Sequence, residues 1–573
     1  NLLQYLFFRQ QELRPLQRQL MELGFSSLGR SEAHVLYSLE KVLESLSELS
    51  GASLELNGGN LAPNFVEGRQ LLERNTEIIW GSRPEGRWVR VMVTMPSEAA
   101  EKPGLVFDLL KGGMDCMRVN CAHDGPEGWG RMIKNLRKAQ KELGRPCMVL
   151  MDLAGPKLRT GPIQEGPRVL RWKPTRNAYG RVTIPARVWL FDRLNPGEPS
   201  TAVDAKVPVS GDWLKQLKPG DQAAFVDCRG AQRELKILGK DSGGILAECG
   251  NTAYLTPGLE MWKVGEAKST RHIATTQVGD LPPREAFILL KPGDKLRLTR
   301  RQAAGKQAKR NASGEVVECA FISCTLPEVF NFIKAGERVF LDDGKIGARI
   351  LSVDHDGAFL EITQARPEGE KLKAEKGLNF PDSKLSIPAL SAKDLEDLKF
   401  MAKEADSVSL SFAQSAKDVE DLQKRLNRLG RPDMGIVLKI ETKRGFENLP
   451  AMLLQLLRWP KGAVMIARGD LAVECGYERL AEIQEEILWI CEAAHVPSVW
   501  ATQVLETLAR TGRPSRSEIT DAAMGERAEC VMLNKGPYIR EALSVLDDIL
   551  KRMQTHQRKK SQMLRQLKSW SLS

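Results

Sequence analysis

Two short polar segments follow apolar runs and carry residue types that could do chemistry. Lys439 and Glu441 end the run that begins at 435, and Gly469 and Asp470 follow the run at 463–466. Apolar runs of this length, bounded by polar residues, are typical of buried parallel strands. Two carboxylates with room for water suit Mg²⁺, and a lysine beside them suits a phosphoryl group or a developing oxyanion.

Other polar residues occupy the same kind of position, at the ends of predicted strands. Each one alone is an ordinary surface residue, but together they form a cation-rich ring around two or three carboxylates, which fits a multiply charged phosphate with its metal. The set does not fit a Ser/His/Asp triad, a hydride-transfer site or a glycosidase pair, and neither a GxxxxGK[ST] loop nor a usable GxGxxG is present. The ring comprises Arg118, Asn120, His123, Asp152, Lys157, Arg159, Lys439, Glu441, Gly469, Asp470 and Thr502.

Eight apolar segments predict the strands that would present these residues. Most of the intervening segments are amphipathic and predict helices, at 127–143, 391–404, 415–429 and 476–494. Eight alternating βα units predict an α/β fold of the (β/α)8 TIM-barrel type, with its chemistry at the carboxyl ends of the strands. The predicted strands are 88–95, 114–121, 147–153, 407–413, 435–441, 463–468, 498–502 and 530–534.

A long insertion of β character separates the third predicted strand from the fourth. Turn signals of the Lys-Pro-Gly-Asp type recur in it, at 218–221 and 291–294. Segments 217–238 and 333–351 also share the order and spacing of their turns and strands. We predict an inserted β domain made of two tandem small β-barrels. The alternative is that turn-and-strand patterns recur by chance in any β domain.

The two ends of the chain depart from the barrel pattern. Leucines at helical spacing predict helices in residues 1–80, and we expect this head to cap the barrel or to contact another copy of the chain. The tail, 551–573, holds seven Lys/Arg and no acid within a chain of net charge +11. We expect a solvated helix there. Nucleic acid, an acidic partner or a membrane surface are the alternatives, although no nucleic-acid-binding motif is present.

Composition argues against several classes of protein. Ten scattered cysteines without a CxxC pair do not make a disulfide framework in 573 residues, so a reducing compartment is expected. Six histidines without an HxxxH or HExxH pair argue against a zinc site. No apolar run approaches the roughly 18–20 residues of a membrane span, and no secretory signal is visible. We therefore expect the cytoplasm, or an organelle such as a plastid.

The motifs along residues 88–536 resemble those of the pyruvate kinase family. The insertion also sits where that family carries a mobile lid domain. The resemblance implies phosphoryl transfer from phosphoenolpyruvate to ADP in glycolysis, giving pyruvate and ATP with Mg²⁺ as cofactor. The segments that carry it are Arg118-Val119-Asn120-Cys121-Ala122-His123, 152–161, Asp342-Asp343-Gly344, 376–381, 438–441, 467–470 and Ala501-Thr502-Gln503.

The resemblance also implies roles for individual residues. The catalytic residues would be Arg118, which holds the phosphoryl group, Lys439, which neutralises developing charge, and Thr502, near which the enolate is protonated. The substrate would be bound by Arg118, Lys439, Gly469, Asp470 and Thr502. Mg²⁺ would be bound by Glu441 and Asp470. The nucleotide would be received by Asn120, His123, Arg159 and Lys376.

The region that binds a monovalent cation in this family is altered here. Asn120 and Asp152 match the family pattern, but Ala122 and Leu153 replace the expected serine and threonine. Lys157 stands where an acidic residue is common, and its ammonium could take the place of a potassium ion beside Asp152. The chain thus resembles the potassium-independent branch of the family, and we expect that K⁺ is not required.

Other departures from the family leave its activity open. Residues 532–537, Met-Leu-Asn-Lys-Gly-Pro, replace the Gly-Glu-Thr-Ala-Lys-Gly loop after strand eight, and Thr94-Met95-Pro96 replaces Thr-Ile-Gly-Pro. The family's C-terminal effector domain is not expected in the 35 or so residues that remain. An active kinase is the first hypothesis. The alternatives are a catalytically impaired binding or structural subunit, and a related enolate or phosphoryl reaction on another 2-oxo acid.

These patterns divide the chain into five predicted parts. A helical extension precedes a barrel that the insertion interrupts, and a basic helical tail follows it. The boundaries that we predict are 1–86 for the extension, 87–161 and 377–550 for the barrel, 162–376 for the inserted β domain, and 551–573 for the tail.

Overall fold

Eight parallel strands close into a barrel in the computed structural model, which describes residues 1–52, 62–264, 274–559 and 561–562. The strands pair in chain order, and the first also pairs with the eighth. Almost all of their residues are buried, as expected for strands that are covered on both faces. They span Arg90–Thr94, Cys116–Asn120, Met148–Asp152, Ser407–Leu410, Gly435–Ile440, Gly462–Ala467, Ser498–Ala501 and Cys530–Leu533.

Helices cover the outside of the barrel and enclose the main hydrophobic core. Two of them begin where the sequence predicts, because Ser391 and Ser415 cap them by accepting hydrogen bonds from the backbone of Asp394 and Asp418. No helix within the described ranges is long and apolar enough to cross a membrane. These helices are Pro103–Lys111, Pro126–Leu143, Ala392–Glu404, Ala416–Arg428, Lys443–Glu447, Leu449–Leu456, Arg468–Cys475, Leu480–Ala493, Glu506–Thr511, Arg516–Met524 and Ile539–Met553.

The N-terminal extension is helical, as predicted, and its last helix closes one end of the barrel. Ile79 and Trp80, at the end of this helix, belong to the same buried cluster as the inward-facing barrel residues Met92 and Leu150. This contact lies at the amino ends of the strands, opposite the face where the candidate catalytic residues emerge. The helices of the extension are Leu2–Phe8, Arg14–Glu22, Val35–Ser50 and Phe65–Trp80.

The prediction of one helix throughout the tail is wrong for its described part. The helix that begins at Ile539 ends at Met553, and Gln557–Arg558 pairs with Ser561–Gln562 as a short antiparallel ladder. Lys559 takes a left-handed backbone conformation between the two segments, and its ammonium pairs with Glu529 of the barrel. A contact with the barrel therefore replaces the solvated helix at this point, and residues 563–573 lie outside the described ranges.

The insertion contains two β-sheets, each with its own hydrophobic core. We call the described residues of 170–281 the first β-domain and residues 288–380 the second β-domain. The first sheet comprises Ala186–Asp192, Ala205–Val209, Gln222–Val226, Gln232–Asp241, Gly244–Cys249, Glu260–Lys263 and Thr275–Gln277. The second comprises Lys295–Thr299, Ala320–Ser323, Arg338–Leu341, Ile346–Asp354, Gly357–Gln364 and Leu378–Asn379.

The two sheets share one topology. In each, the third, fourth and fifth strands form an antiparallel meander, and the fifth pairs antiparallel with the first. The first strand pairs parallel with the second, and the sixth pairs with the third. The fold class predicted from the sequence, a TIM barrel with an inserted and duplicated β domain and a helical extension, is confirmed.

Candidate active site

A cavity of about 460 Å³ opens at the carboxyl ends of the barrel strands and reaches the second β-domain. Residues from distant parts of the sequence meet there because parallel strands all end on the same face of the barrel. Asp152, His123 and Gly469 are the predicted site residues that do not line this cavity. Those that do are Arg118, Asn120, Lys157, Arg159, Lys376, Lys439, Glu441, Asp470 and Thr502.

Lys439 lies at the centre of a hydrogen-bonded cluster. Its Nζ is 2.9 Å from Glu441 Oε1, 3.6 Å from Asp152 Oδ2, and donates a 2.9 Å hydrogen bond to Ser411 Oγ. Burial alone would lower the pKa of this lysine, but the two carboxylates outweigh it and raise the pKa above its ordinary value. The ammonium therefore stays charged at neutral pH and is held in one place.

Arg118 is fixed beside this lysine. Its Nη2 and Nε donate to Asp152 Oδ2 at 2.5 and 3.1 Å, and Nη1 donates to Thr94 Oγ1 at 2.8 Å. Although burial opposes ionisation of Asp152, the cations of Arg118 and Lys439 hold the pKa of that carboxyl below its usual range. The other oxygen, Asp152 Oδ1, is buried and accepts no hydrogen bond from any described residue.

Glu441 and Asp470 face the same space and interact electrostatically. Glu441 Oε2 accepts a 2.6 Å hydrogen bond from the backbone of Phe412, which fixes its orientation. Burial, and then the charge of Glu441, raise the pKa of Asp470 to about 7. A divalent cation between the two carboxylates would relieve this repulsion, and carboxylate oxygens are the donors that Mg²⁺ prefers. The two residues therefore fit a magnesium site.

This metal site would rely on few protein ligands. Within the described residues, no group of three or more His, Cys, Asp or Glu side chains is arranged to hold a metal. Mg²⁺ commonly keeps several waters and binds through one or two carboxylates together with substrate oxygens. The sparse donor set consequently fits Mg²⁺ bound together with a phosphorylated substrate better than a permanent structural metal.

Strand seven ends in strained backbone beside this site. Thr502 and Gln503 have φ values of 62° and 60°, in the left-handed region that a β-branched residue rarely adopts. Arg468 donates to the carbonyl oxygens of Ala501 and Thr502, and Thr502 Oγ1 accepts a 2.9 Å hydrogen bond from Gly469 N. These bonds hold the threonine hydroxyl in place, and such strain is typical of functional sites.

Cations collect at the outer side of the cavity. Burial, and then Arg159 and Lys439, lower the pKa of Lys157 to about 8, and its ammonium forms no ion pair with a described residue. His123 has a lowered pKa because it is partly buried and lies near Lys535, Lys157 and Arg159. An unneutralised group of this kind is suited to bind a polyanion such as a nucleotide phosphate.

The second β-domain contributes a turn to the cavity. Asp342, Asp343 and Gly344 all have positive φ values, of 52°, 55° and 82°. Asp342 pairs with Lys376 at 3.1 Å, and Asp343 lines the cavity. A Cβ placed on Gly344 would lie 3.4 Å from Val473 Cγ2, so this turn packs closely against the barrel helix Arg468–Cys475.

Ser411, Phe412 and Glu474 also line the cavity, and the sequence analysis did not single them out as site residues. Ser411 and Phe412 directly follow strand four and contact Lys439 and Glu441. A prediction that ended strand four at Leu410 would have placed both residues at a strand end, where site residues were expected. Glu474 is buried, its pKa is raised to about 7 mainly by that burial, and Asn379 donates to it at 2.9 Å. Glu474 lies four residues after Asp470 on the helix Arg468–Cys475, so helical spacing places both carboxyls on one face and is the signal that could have found it.

Comparison with known proteins places most of the chain in one family. A family model described as "Pyruvate kinase, barrel domain" matches residues 86–179 and 272–542. The gap in this match falls within the first β-domain. The segment in this gap, 180–271, is therefore an addition to the part that the family describes, and residues 1–85 and 543–573 also lie outside the match.

Curated relatives support the same grouping. Pyruvate kinase of Candida albicans is 34% identical over 221 residues, 37% of this chain and 42% of the relative. The enzymes of Chlamydia muridarum and Mycobacterium tuberculosis are 30% and 32% identical over 273 and 254 residues, or 46% and 42% of this chain and 53% and 51% of theirs. The chain spans about half the length of the curated relatives it matches.

Proposed function

The chain belongs to the pyruvate kinase family, and we propose that it transfers the phosphoryl group of phosphoenolpyruvate to ADP, giving pyruvate and ATP. The observation that carries this proposal is the convergence of Arg118, Lys439, Glu441, Asp470 and Thr502 at one end of the barrel. Phosphoryl transfer to and from an enolate uses two fixed cations beside a magnesium-type carboxylate pair and a positioned hydroxyl. Acyl transfer by a triad, hydride transfer and glycoside hydrolysis do not need this combination.

Arg118 and Lys439 would stabilise the charge that moves during transfer. The guanidinium of Arg118 is held by Asp152 and Thr94, so it is available as a rigid donor for phosphoryl oxygens. Lys439 is held by Ser411 and Glu441, next to the same position. Groups fixed before the reaction need no reorganisation when charge develops on the enolate oxygen, and this is how they lower the barrier.

Glu441 and Asp470 would hold Mg²⁺, which when bound neutralises charge on the phosphoryl and enolate oxygens. The raised pKa of Asp470 supports this role, because a carboxyl that ionises reluctantly alone is one that a cation stabilises. The backbone N–H groups that follow Gly469, at the start of the helix Arg468–Cys475, would receive the substrate carboxylate, since the N–H of Gly469 itself donates to Thr502.

Thr502 would take part in the final proton transfer. Its hydroxyl is fixed by Gly469 N at 2.9 Å and lines the cavity where the enolate would lie. The unperturbed hydroxyl is a weak acid, so we expect it to relay a proton from a bound water rather than to supply one itself. The methyl and hydroxyl groups would also orient the substrate.

The nucleotide would enter from the side of the second β-domain. Asn120, Arg159 and Lys376 line that part of the cavity, and His123 lies beside it. Closure of the second β-domain over the substrates would exclude water and so prevent hydrolysis of the phosphoryl group. The division of the chain into 1–86, 87–161, 162–376, 377–550 and 551–573 stays a proposal alongside this function.

We further propose that Lys157 makes the reaction independent of K⁺. Its ammonium is in the cavity without an ion-pair partner among described residues, and Asp152 Oδ1 is a buried carboxylate oxygen without a hydrogen bond. Asp152 and Glu441 favour the charged form of this lysine. A small movement of the side chain toward Asp152 upon substrate binding would supply the positive charge that K⁺ otherwise brings.

A catalytically impaired subunit is the second candidate function. The observation that favours it is the connection after strand eight, where only residues 534–538 separate Cys530–Leu533 from the helix Ile539–Met553. The family loop expected at this point is replaced by Asn534-Lys535-Gly536, so one of the segments expected to contact the nucleotide would be missing. In that case the protein would bind phosphoenolpyruvate with Mg²⁺ but would turn over slowly or not at all.

A coupled assay that follows pyruvate formation from phosphoenolpyruvate, ADP and Mg²⁺ separates the two candidates. We expect turnover in the full chain and a loss of at least about 10³-fold in Lys439→Met, which keeps the length of the side chain but removes its charge. Calorimetry of phosphoenolpyruvate binding serves as the control for folding. Binding without turnover would favour the impaired subunit, and an unchanged rate in Lys439→Met would refute the assigned chemistry.

A further inference from the structure

Each β-domain projects a short hairpin, and the two hairpins share one turn. The first pairs Thr175–Arg176 with Val182–Ile184, and the second pairs Lys309–Arg310 with Val316–Glu318. Both turns read Arg-Asn-Ala-X-Gly, at 176–180 and 310–314. Because the turn sequence is shared, differences in charge and side chains between the two hairpins can be compared directly.

The hydrogen bonds of the two turns also correspond. Asn177 N donates to Arg181 O, and Asn311 N donates to Glu315 O, both at 2.9 Å. Arg176 Nη1 donates to Gly180 O at 2.7 Å in the first turn, as Arg310 Nη1 does to Gly314 O at 2.9 Å in the second. The backbone of the turn therefore does not depend on which residues occupy the variable positions.

The variable positions differ in charge and in aromatic character. Tyr179 and Arg181 in the first hairpin stand where Ser313 and Glu315 stand in the second. Over matching segments of twelve residues, 173–184 carries three Lys/Arg and no acid, whereas 307–318 carries two Lys/Arg and two Glu. The first hairpin thus has a charge of +3, and the second is neutral.

Ion pairs neutralise the cations of the second hairpin, one within the hairpin and one with the neighbouring Asp294. Lys309 pairs with Glu318 at 2.7 Å, and Arg310 pairs with Asp294 at 3.3 Å. In the first hairpin, Lys173, Arg176 and Arg181 are exposed and form no ion pair with any described residue. Since the second hairpin folds without surplus charge, the surplus in the first is not required by the fold.

Tyr179 is the most exposed of the large hydrophobic side chains in the first hairpin. It is 89% exposed at the tip of the turn, between Arg176 and Arg181. The hairpin is anchored at its base, because Arg176 Nη2 donates to Gly250 O at 3.1 Å. A solvent-exposed aromatic ring flanked by guanidinium groups on a fixed support is the arrangement that stacks on a base while contacting phosphates.

We propose that the first hairpin, residues 173–184, binds single-stranded nucleic acid. Exposed Arg171 and Arg187, which precede and follow it, extend the positive surface and also lack ion pairs with described residues. The phosphate backbone is complementary to these cations, and the unpaired bases offer faces to Tyr179. Apart from Tyr179, the tip consists of Asn177, Ala178 and Gly180. These three residues offer little apolar volume for insertion into a lipid surface, so nucleic acid is the favoured partner.

This surface is separate from the candidate active site. None of its residues lines the cavity at the carboxyl ends of the barrel strands. The match to the pyruvate kinase family model also breaks off at residue 179, within the turn, and resumes at 272. Nucleic-acid binding would therefore be an additional property of the first β-domain, independent of phosphoryl transfer.

Fluorescence polarisation of the full chain with a labelled, unstructured RNA of about 16 nucleotides, and with the same sequence as DNA, tests the proposal. We expect binding that weakens as salt increases. The double variant Tyr179→Ser, Arg181→Glu installs the residues of the second hairpin, so the turn should fold unchanged. We expect the double variant to bind RNA roughly 5- to 150-fold more weakly because the stacking of Tyr179 is lost. Its affinity should also depend less on salt, because Arg181 no longer contacts a phosphate.

Two controls make the result specific. Tyr179→Phe keeps the ring and should retain the affinity, and Lys309→Glu makes the same change of charge in the second hairpin and should leave binding within about twofold. Absence of binding to both RNA and DNA at low salt, or equal affinity of the double variant, would overturn the proposal. Competition with RNA by polyglutamate or by phosphatidylserine vesicles at equal charge concentration would also overturn the proposal, because it would indicate a surface that binds any polyanion.

Discussion

Replacing Asp470 with asparagine tests the metal site without an activity measurement. The pKa of this carboxyl rises from 3.8 to about 7 in the folded chain, chiefly through burial and the charge of Glu441. A carboxyl whose pKa is raised by folding contributes stability at low pH that is lost as the pH rises through its folded value. Asp470→Asn cannot ionise, so the variant should escape this loss.

The size of the effect follows from the two pKa values. Each pH unit corresponds to about 1.36 kcal/mol. The difference between the unfolded and folded pKa of Asp470 therefore lowers the unfolding free energy of the metal-free protein by about 4 kcal/mol at about pH 8 and by about 1.7 kcal/mol at about pH 5. The stability of Asp470→Asn relative to the unmodified chain should therefore increase by about 2.5 kcal/mol between these two pH values. The isosteric amide keeps the packing, which leaves charge as the main difference.

Thermal or urea unfolding in EDTA at the two pH values measures this difference, and addition of Mg²⁺ at the higher pH then tests the site itself. At about 100 times its dissociation constant, Mg²⁺ should stabilise the unmodified chain by about 2.7 kcal/mol and the variant by much less. If the stability of Asp470→Asn relative to the unmodified chain does not increase between the lower and the higher pH, the electrostatic reasoning fails. If Mg²⁺ stabilises both proteins equally, Asp470 is not a ligand.

Three further predictions concern the cation site, the lysine at its centre and the fold. Lys157→Glu should make turnover dependent on added KCl, whereas the unmodified chain should keep its rate in tetramethylammonium buffer; a KCl requirement in the unmodified chain would contradict the assigned role. Lys439→Arg should retain phosphoenolpyruvate binding but lose most of kcat, because the planar guanidinium cannot occupy the ammonium position; an unchanged kcat would exclude a positional role. Arg87→Met should lower the unfolding free energy by about 3–5 kcal/mol, measured in urea, because it removes the buried partner that Asp115 and Asp547 share. Arg145 and Lys551 still pair with these carboxylates, but the carbonyl oxygens of Val89 and Gly113 also lose their donor; a loss below about 1 kcal/mol would contradict this.

The barrel could be predicted from sequence because its strands have a simple sequence pattern. A strand buried on both faces must be apolar throughout, and eight such runs separated by amphipathic helices allow few folds. The predicted strand ends were less accurate. Strand four was predicted to reach 413 but ends at Leu410, because the chain turns at Ser411 and Phe412 has a left-handed φ of 54°.

The tail shows the limit of composition as a guide. Its basic, acid-free sequence predicts a solvated helix, yet Lys559 turns back to pair with Glu529 of the barrel. A helix of exposed residues gains little from its own propensity, whereas a partly buried ion pair with the barrel fixes the backbone near it. Such a contact cannot be read from the tail alone, because its partner belongs to the barrel, well before the tail begins.

The sequence by itself determined which residue types stand at the strand ends, and hence Lys439, Glu441 and Asp470 as candidates. Periodicity and burial are local properties, so one segment suffices to establish them. Only the tertiary structure decided how these groups act on one another: that Ser411 holds Lys439, that Asp152 Oδ1 lacks a hydrogen bond from the described residues, and that Asp470 is reluctant to ionise. The physical reason is that charge interactions and desolvation depend on distances between residues that are remote in the chain.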